Sequence, residues 1–98
     1  MSMHSAEFVN CEGLAPGSLL EVETRNRHYR IECMGGNEIR VSGHPEYCPE
    51  PVPGRVLASG LIERGHHLHL LLEGRRPLTT SRIVHVRVQT AKTPSTIH

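Results

Sequence analysis

The chain has no aspartate and no tryptophan, one phenylalanine (Phe8), two tyrosines (Tyr29 and Tyr47) and one lysine (Lys92) among its 98 residues. Each shortage narrows the function. Without aspartate there is no Ser-His-Asp triad, and the acids, all glutamate, fall on outward strand positions or in loops. Paired-carboxylate chemistry is therefore not expected, and the inventory reads as non-enzymatic. So few aromatics leave an aliphatic core and little on which nucleobases could stack. There is no GxxxxGK[ST] or GxGxxG loop, so no nucleotide cofactor, nor any other cofactor, is expected. There is no CxxC motif. Cys11, Cys33 and Cys48 are odd in number and irregular in spacing, which reads as reduced thiols in a cytoplasm. Met1–Leu14 lacks the pattern of a signal peptide, and no run approaches the roughly 18 apolar residues of a membrane helix, so no membrane partner is expected. A net charge of +1 argues against a dedicated duplex nucleic-acid binder, whose affinity rests on many Lys/Arg–phosphate contacts.

What is present is alternation. Leu20 and Val22 alternate with glutamates; Tyr29, Ile31 and Cys33 alternate with His28, Arg30 and Glu32; Ile39 and Val41 alternate with Glu38 and Arg40. A period of two marks half-buried antiparallel strands. The register can be read on paper. A two-residue Arg25-Asn26 loop sets Val22 opposite Tyr29, Leu20 opposite Ile31, Glu21 opposite Arg30 and Glu23 opposite His28. A Gly35-Gly36-Asn37 loop sets Cys33 opposite Ile39, Ile31 opposite Val41 and Glu32 opposite Arg40. These outer pairs predict a self-neutralised surface. Four prolines between Gly43 and Pro53 predict a stiff surface loop rather than a central strand. A short strand follows over Arg55–Ala58, then a turn region over Gly60–Gly65. His66–Leu72 is a strand with Leu68, Leu70 and Leu72 on one face and His67, His69 and Leu71 on the other. Arg76–Thr80 and Ile83–Val88 are the last two strands, with Val84, Val86 and Val88 inward and Ile83, His85 and Arg87 outward.

The expected fold is all-β: a small antiparallel or half-open barrel, SH3-like or similar, of about six to seven short strands, since closure hides edges. Residues 1–15 read as a flexible arm with Leu14 docking on the barrel, 16–88 as the single domain and 89–98 as a disordered tail. A chain of this length buries roughly 60–65% of its unfolded surface, so the core is modest.

Two constellations carry chemistry. Arg75, Arg76, Arg82 and Arg87 fall in a stretch with no acid after Glu73, and with Tyr47 they are candidates for binding single-stranded nucleic acid or a phosphorylated ligand. His67 and His69 point the same way from one strand, and with His85 they are candidate metal ligands. Cys33 reads as a buried small hydrophobe. Cys48, beside Tyr47, falls in an exposed-looking loop.

Glu23-Thr24-Arg25-Asn26 with Tyr29, then Tyr47-Cys48-Pro49-Glu50-Pro51, then Gly74-Arg75-Arg76 with Leu78, Thr80-Ser81 and Ile83 stand in an order that resembles a family of small uncharacterised bacterial β-proteins, over roughly residues 17–88. The resemblance implies a single β-domain with no assigned activity. The chain does not resemble a cyclic-dinucleotide-binding PilZ domain: the spacing of Arg25 and Arg30 is one too long for RxxxR, and Asn37 lacks the serine of [DN]xSxxG. The expected function is a protein-interaction or self-association module, whose partner is another protein or a second copy. Weak nucleic-acid or phospholigand binding, and metal binding at the histidines, are the alternatives.

Overall fold

A computed structural model describes residues 3–57 and 60–91. Nine strands occur among them: β1 (His4–Ala6), β2 (Phe8–Asn10), β3 (Leu19–Thr24), β4 (His28–Gly35), β5 (Glu38–Ser42), β6 (Val52–Val56), β7 (Leu61–Glu63), β8 (His67–Leu72) and β9 (Leu78–Gln89). A short 3-10 turn lies at Cys11–Gly13. Seven strands form an antiparallel sheet in the order β1-β9-β3-β4-β5-β6-β8, and β9 also pairs with β8, so the sheet partly closes into a ring. β2 and β7 make a separate two-stranded ribbon. The molecule is an all-β, small barrel-like domain.

Both hairpin registers follow the alternation. Val22 faces Tyr29, Leu20 faces Ile31, Glu21 faces Arg30 and Glu23 faces His28. In the next hairpin Cys33 faces Ile39, Ile31 faces Val41 and Glu32 faces Arg40, with a bulge before Gly35. One buried face leaves no other register open, because a one-residue slip would turn every apolar side chain to water. Leu20, Val22, Tyr29, Ile31, Cys33, Ile39, Val41, Val56, Leu68, Leu70 and Leu72 line the interior. Each buried aliphatic contributes on the order of 1.5–3 kcal/mol.

The outer charges pair differently from the register. Glu21 stands opposite Arg30, but its carboxylate lies 3.8 Å from His28 Nε2 and 3.8 Å from Arg87 Nη1. The reason is that β3 has two neighbours, and β9 brings Arg87 directly opposite Glu21 from the other side.

Several expectations give way. The N-terminal stretch is not a loose arm: β1 pairs with Val86–Val88, β2 pairs with β7, and Val9 and Cys11 join the core, with Leu14 packed against it. Gly60–Gly65 holds β7 rather than a turn alone. β6 starts at Val52, not Arg55, and lies between β5 and β8 with Pro53 inside it. Proline is tolerated there because N–H and C=O of one residue point the same way across an antiparallel ladder. Pro53 O accepts from Glu73 N, just past the last β6–β8 pair at Gly54 and Leu72, so the missing donor faces the end of β8.

The last two expected strands are one, and its faces are not those expected. Ile83 is buried and Val84 is 40% exposed. Against β3, Glu23 pairs with His85 and Thr24 with Ile83, so Val84 is an extra residue turned outward. Against β8, His67 pairs with Arg82 and His69 with Thr79, a second insertion. Each bulge reverses the alternation, which gives the inward set Leu78, Thr80, Ile83, Val86 and Val88. The bend lets β9 pair with β8 at one end and with β1 at the other. At the second bulge Thr80 Oγ1 accepts from Leu68 N at 3.1 Å, filling a broken ladder position with a side chain. Gln89 is still paired, to Leu19, and Ala91 N donates to Ser18 Oγ; the rest of the expected disordered tail, 92–98, lies outside the described residues.

Candidate functional site

The candidate arginines are distributed over separate settings. Arg75 sits in the β8–β9 turn and lines a cleft of about 580 Å³ with Glu38, Pro53, Gly54, Arg55, Leu71, Leu72, Glu73 and Gly74. Arg76, beside it, is exposed. Arg82 lines a different cleft of about 340 Å³, with Arg25, Asn26, His67 and Ser81. Arg87 is engaged by Glu21. Tyr47 is half-buried, its ring centroid 4.7 Å from that of His44 in an edge-on arrangement at 62°.

His67 and His69 share an outward face of β8, as expected from their spacing. With Leu57, Leu61, Glu63 and His66 they line a cleft of about 260 Å³. Both Nδ1 atoms are occupied: His67 Nδ1 lies 2.8 Å from Thr80 O, to which it donates, and His69 Nδ1 lies 3.1 Å from Thr79 Oγ1. His85 does not join them. β8 pairs with β9 only as far as Arg82, and His85 lies farther along β9, where its Nε2 meets Ser5 Oγ at 3.1 Å. Among the described residues, no three His, Cys, Asp or Glu side chains are placed to hold a metal ion.

All three cysteines are buried, Cys48 included. Cys48 turns inward because the loop after β5 folds back on itself: Gly43 N donates to Cys48 O and Cys48 N to His44 O. Burial pushes its thiol above the usual range. Cys11 Sγ and Cys33 Sγ lie within hydrogen-bond reach at 3.7 Å, and that bond, with burial second, pushes the Cys11 thiol far above the usual range while it pulls Cys33 below it. The two raised thiols, Cys11 and Cys48, are poor nucleophiles.

The cleft that Arg75 lines is built by sheet pairing. Glu38 stands opposite Arg55 across β5–β6, and Arg55 opposite Leu71 across β6–β8, so a carboxylate, a guanidinium and a leucine form a row on the outer face. Leu71 is 37% exposed. None of Glu38, Arg55, Glu73 and Arg75 is in an ion pair among the described residues. Sequence reasoning placed Leu71 and Arg75 but missed Glu38 and Arg55, because the adjacency of β5, β6 and β8 is long-range and leaves no local periodicity.

No family model matches the chain, and no curated protein or solved structure matches it either. No helix among the described residues is long and apolar enough to cross a membrane.

Proposed function

We propose that the chain is a non-enzymatic self-association module, and that two copies meet through the cleft over β5, β6 and β8. The observation that carries this reading is the lining: two carboxylates and two guanidiniums, unpaired among the described residues, around an exposed leucine. A surface with both signs of charge is complementary to itself, and a two-fold contact sets the carboxylates of each copy against the guanidiniums of the other. A distinct partner would more simply be met by one sign. The buried free thiols, two of them close but not joined as a disulfide, support a reducing, cytoplasmic setting.

Sedimentation velocity over a wide concentration range tests the reading. A concentration-dependent dimer is expected, with Leu71→Glu monomeric, Arg55→Glu weakened, and Glu38→Arg with Arg55→Glu in the same chain restored. A protein that stays monomeric at millimolar concentration, or a dimer indifferent to all three variants, overturns it.

A further inference from the structure

We propose that the cleft between the β3–β4 turn and β9 binds a terminal phosphate group, either inorganic phosphate or a small phosphate monoester. Arg25, Asn26, His67, Ser81 and Arg82 line it, and no acidic residue does. Neither arginine is in an ion pair among the described residues. A cation is excluded by such a lining, whereas an oxyanion meets donors on several sides.

The fold holds the donors in place. The β3–β4 turn is closed by Thr24 N donating to Arg27 O at 2.7 Å and Arg27 N donating to Thr24 Oγ1 at 3.0 Å. Arg25 N donates to Arg82 O at 3.0 Å, which locks the turn onto β9 at its bulge. Arg82 Nη1 donates to Gly65 O at 3.0 Å, fixing one edge of the guanidinium and leaving the other nitrogens for a ligand. Asn26 Nδ2 donates to Ser81 Oγ, so the serine hydrogen is free to point at an acceptor. His67 Nδ1 donates to Thr80 O, which leaves Nε2 as the nitrogen for the ligand. A phosphate monoanion brings its own P–O–H hydrogen to that nitrogen, so the proton balance closes.

A terminal phosphate is favoured over a nucleic-acid strand by the surroundings. A strand needs a basic track and stacking faces, yet Tyr29 is buried, Tyr47 is half-buried, and Arg75 and Arg87 lie in other settings. The volume is at the low end for small-molecule sites.

The test is an amide-resolved NMR titration at low salt with inorganic phosphate and, separately, glycerol 3-phosphate. Saturable shifts confined to residues 24–27, 65–67 and 79–82 are expected, with Arg25→Gln and Arg82→Gln each weakening binding about tenfold or more, the loss of one charge-assisted contact. Arg25 is an exposed turn residue, so its variant remains informative if the Arg82 variant disturbs the bulge. A monoester that binds more tightly than inorganic phosphate identifies a phosphorylated metabolite; equal binding identifies free phosphate; both support the site. Absence of saturation, shifts elsewhere, unchanged affinity in the Arg25 variant, or competition at these residues by an oligonucleotide lacking terminal phosphate overturns it. The outcome is independent of self-association, since the two clefts share no residue.

Discussion

His44 shows how one side chain can set a loop. Its Nδ1 accepts from Glu46 N at 3.1 Å and from Tyr47 N at 3.2 Å, the part an Asn or Asp oxygen plays at many turns. An accepting Nδ1 must be unprotonated, and burial, reinforced by the Arg27 guanidinium, holds the imidazole below the usual histidine range. The folded chain therefore takes up this proton less readily than the unfolded chain. Stability from this group is present above about pH 6.5 and is lost as pH falls through the depressed folded-state value. His44→Ala should cost about 1 kcal/mol in urea unfolding at neutral pH, whereas His44→Asn, which keeps an acceptor, should cost less and flatten the acid limb relative to the wild type. Equal pH profiles for the wild type and His44→Asn would show that the ring does not act as an acceptor. A reader of the sequence sees His44 in a proline-rich loop but not this role, because a histidine acceptor for local N–H groups has no spacing signature.

Among the elements, β3 to β5 were legible and β9 was not, for one physical reason. A tight turn of known length plus a single apolar face determines register locally, so Val22–Tyr29 and Cys33–Ile39 could be paired on paper. The faces of β9 depend on two bulges that arise from pairing with strands far away in sequence, and counting Val84, Val86 and Val88 as one stripe misses the inward Ile83. The candidate sites follow the same division: Arg25-Asn26 was read as a turn, but its neighbour across β9 was not visible. β6 was masked by Pro53, and its other unusual residue, Gly54, tests the strand directly. A Cβ at Gly54 would lie 2.6 Å from Leu71 O and 3.0 Å from Leu72 Cδ2, so Gly54→Ala must push β6 away from β8. A loss of about 1–3 kcal/mol in urea unfolding is expected, with weakened self-association because Arg55 and Leu71 move with the strands. Gly13→Ala, where nothing lies within 4 Å, is the near-neutral control. Comparable stability of the two variants would mean that β6 and β8 are not closely paired at Gly54.

For the molecule as a whole, the open question in a ring of short strands is what covers its sides, and here the N-terminal residues do so. β1 continues the edge of β9 beyond the point where β8 leaves it, and β2 carries Val9 opposite Ile62 into the interior. The Cys11–Gly13 turn follows, its Asn10 side chain accepting from Glu12 N at 2.9 Å, and it delivers Cys11 onto Cys33. Composition alone suggests an arm because the segment is too short and mixed to show a period; its order comes from the surfaces it covers. Removing residues 1–13 uncovers Ile62, Cys33 and the β9 edge together. The loss of Val9 burial and of these pairings should cost about 3 kcal/mol or more, lowering Tm by roughly 12–24 °C for a domain of this size. Phe8, on the outer face of the β2–β7 ribbon and 62% exposed, separates covering from mere presence: Phe8→Ala should stay within about 0.5 kcal/mol of the wild type. Thermal melts followed by circular dichroism decide it, and a truncated chain that melts with the full one would return these residues to the status of an appendage.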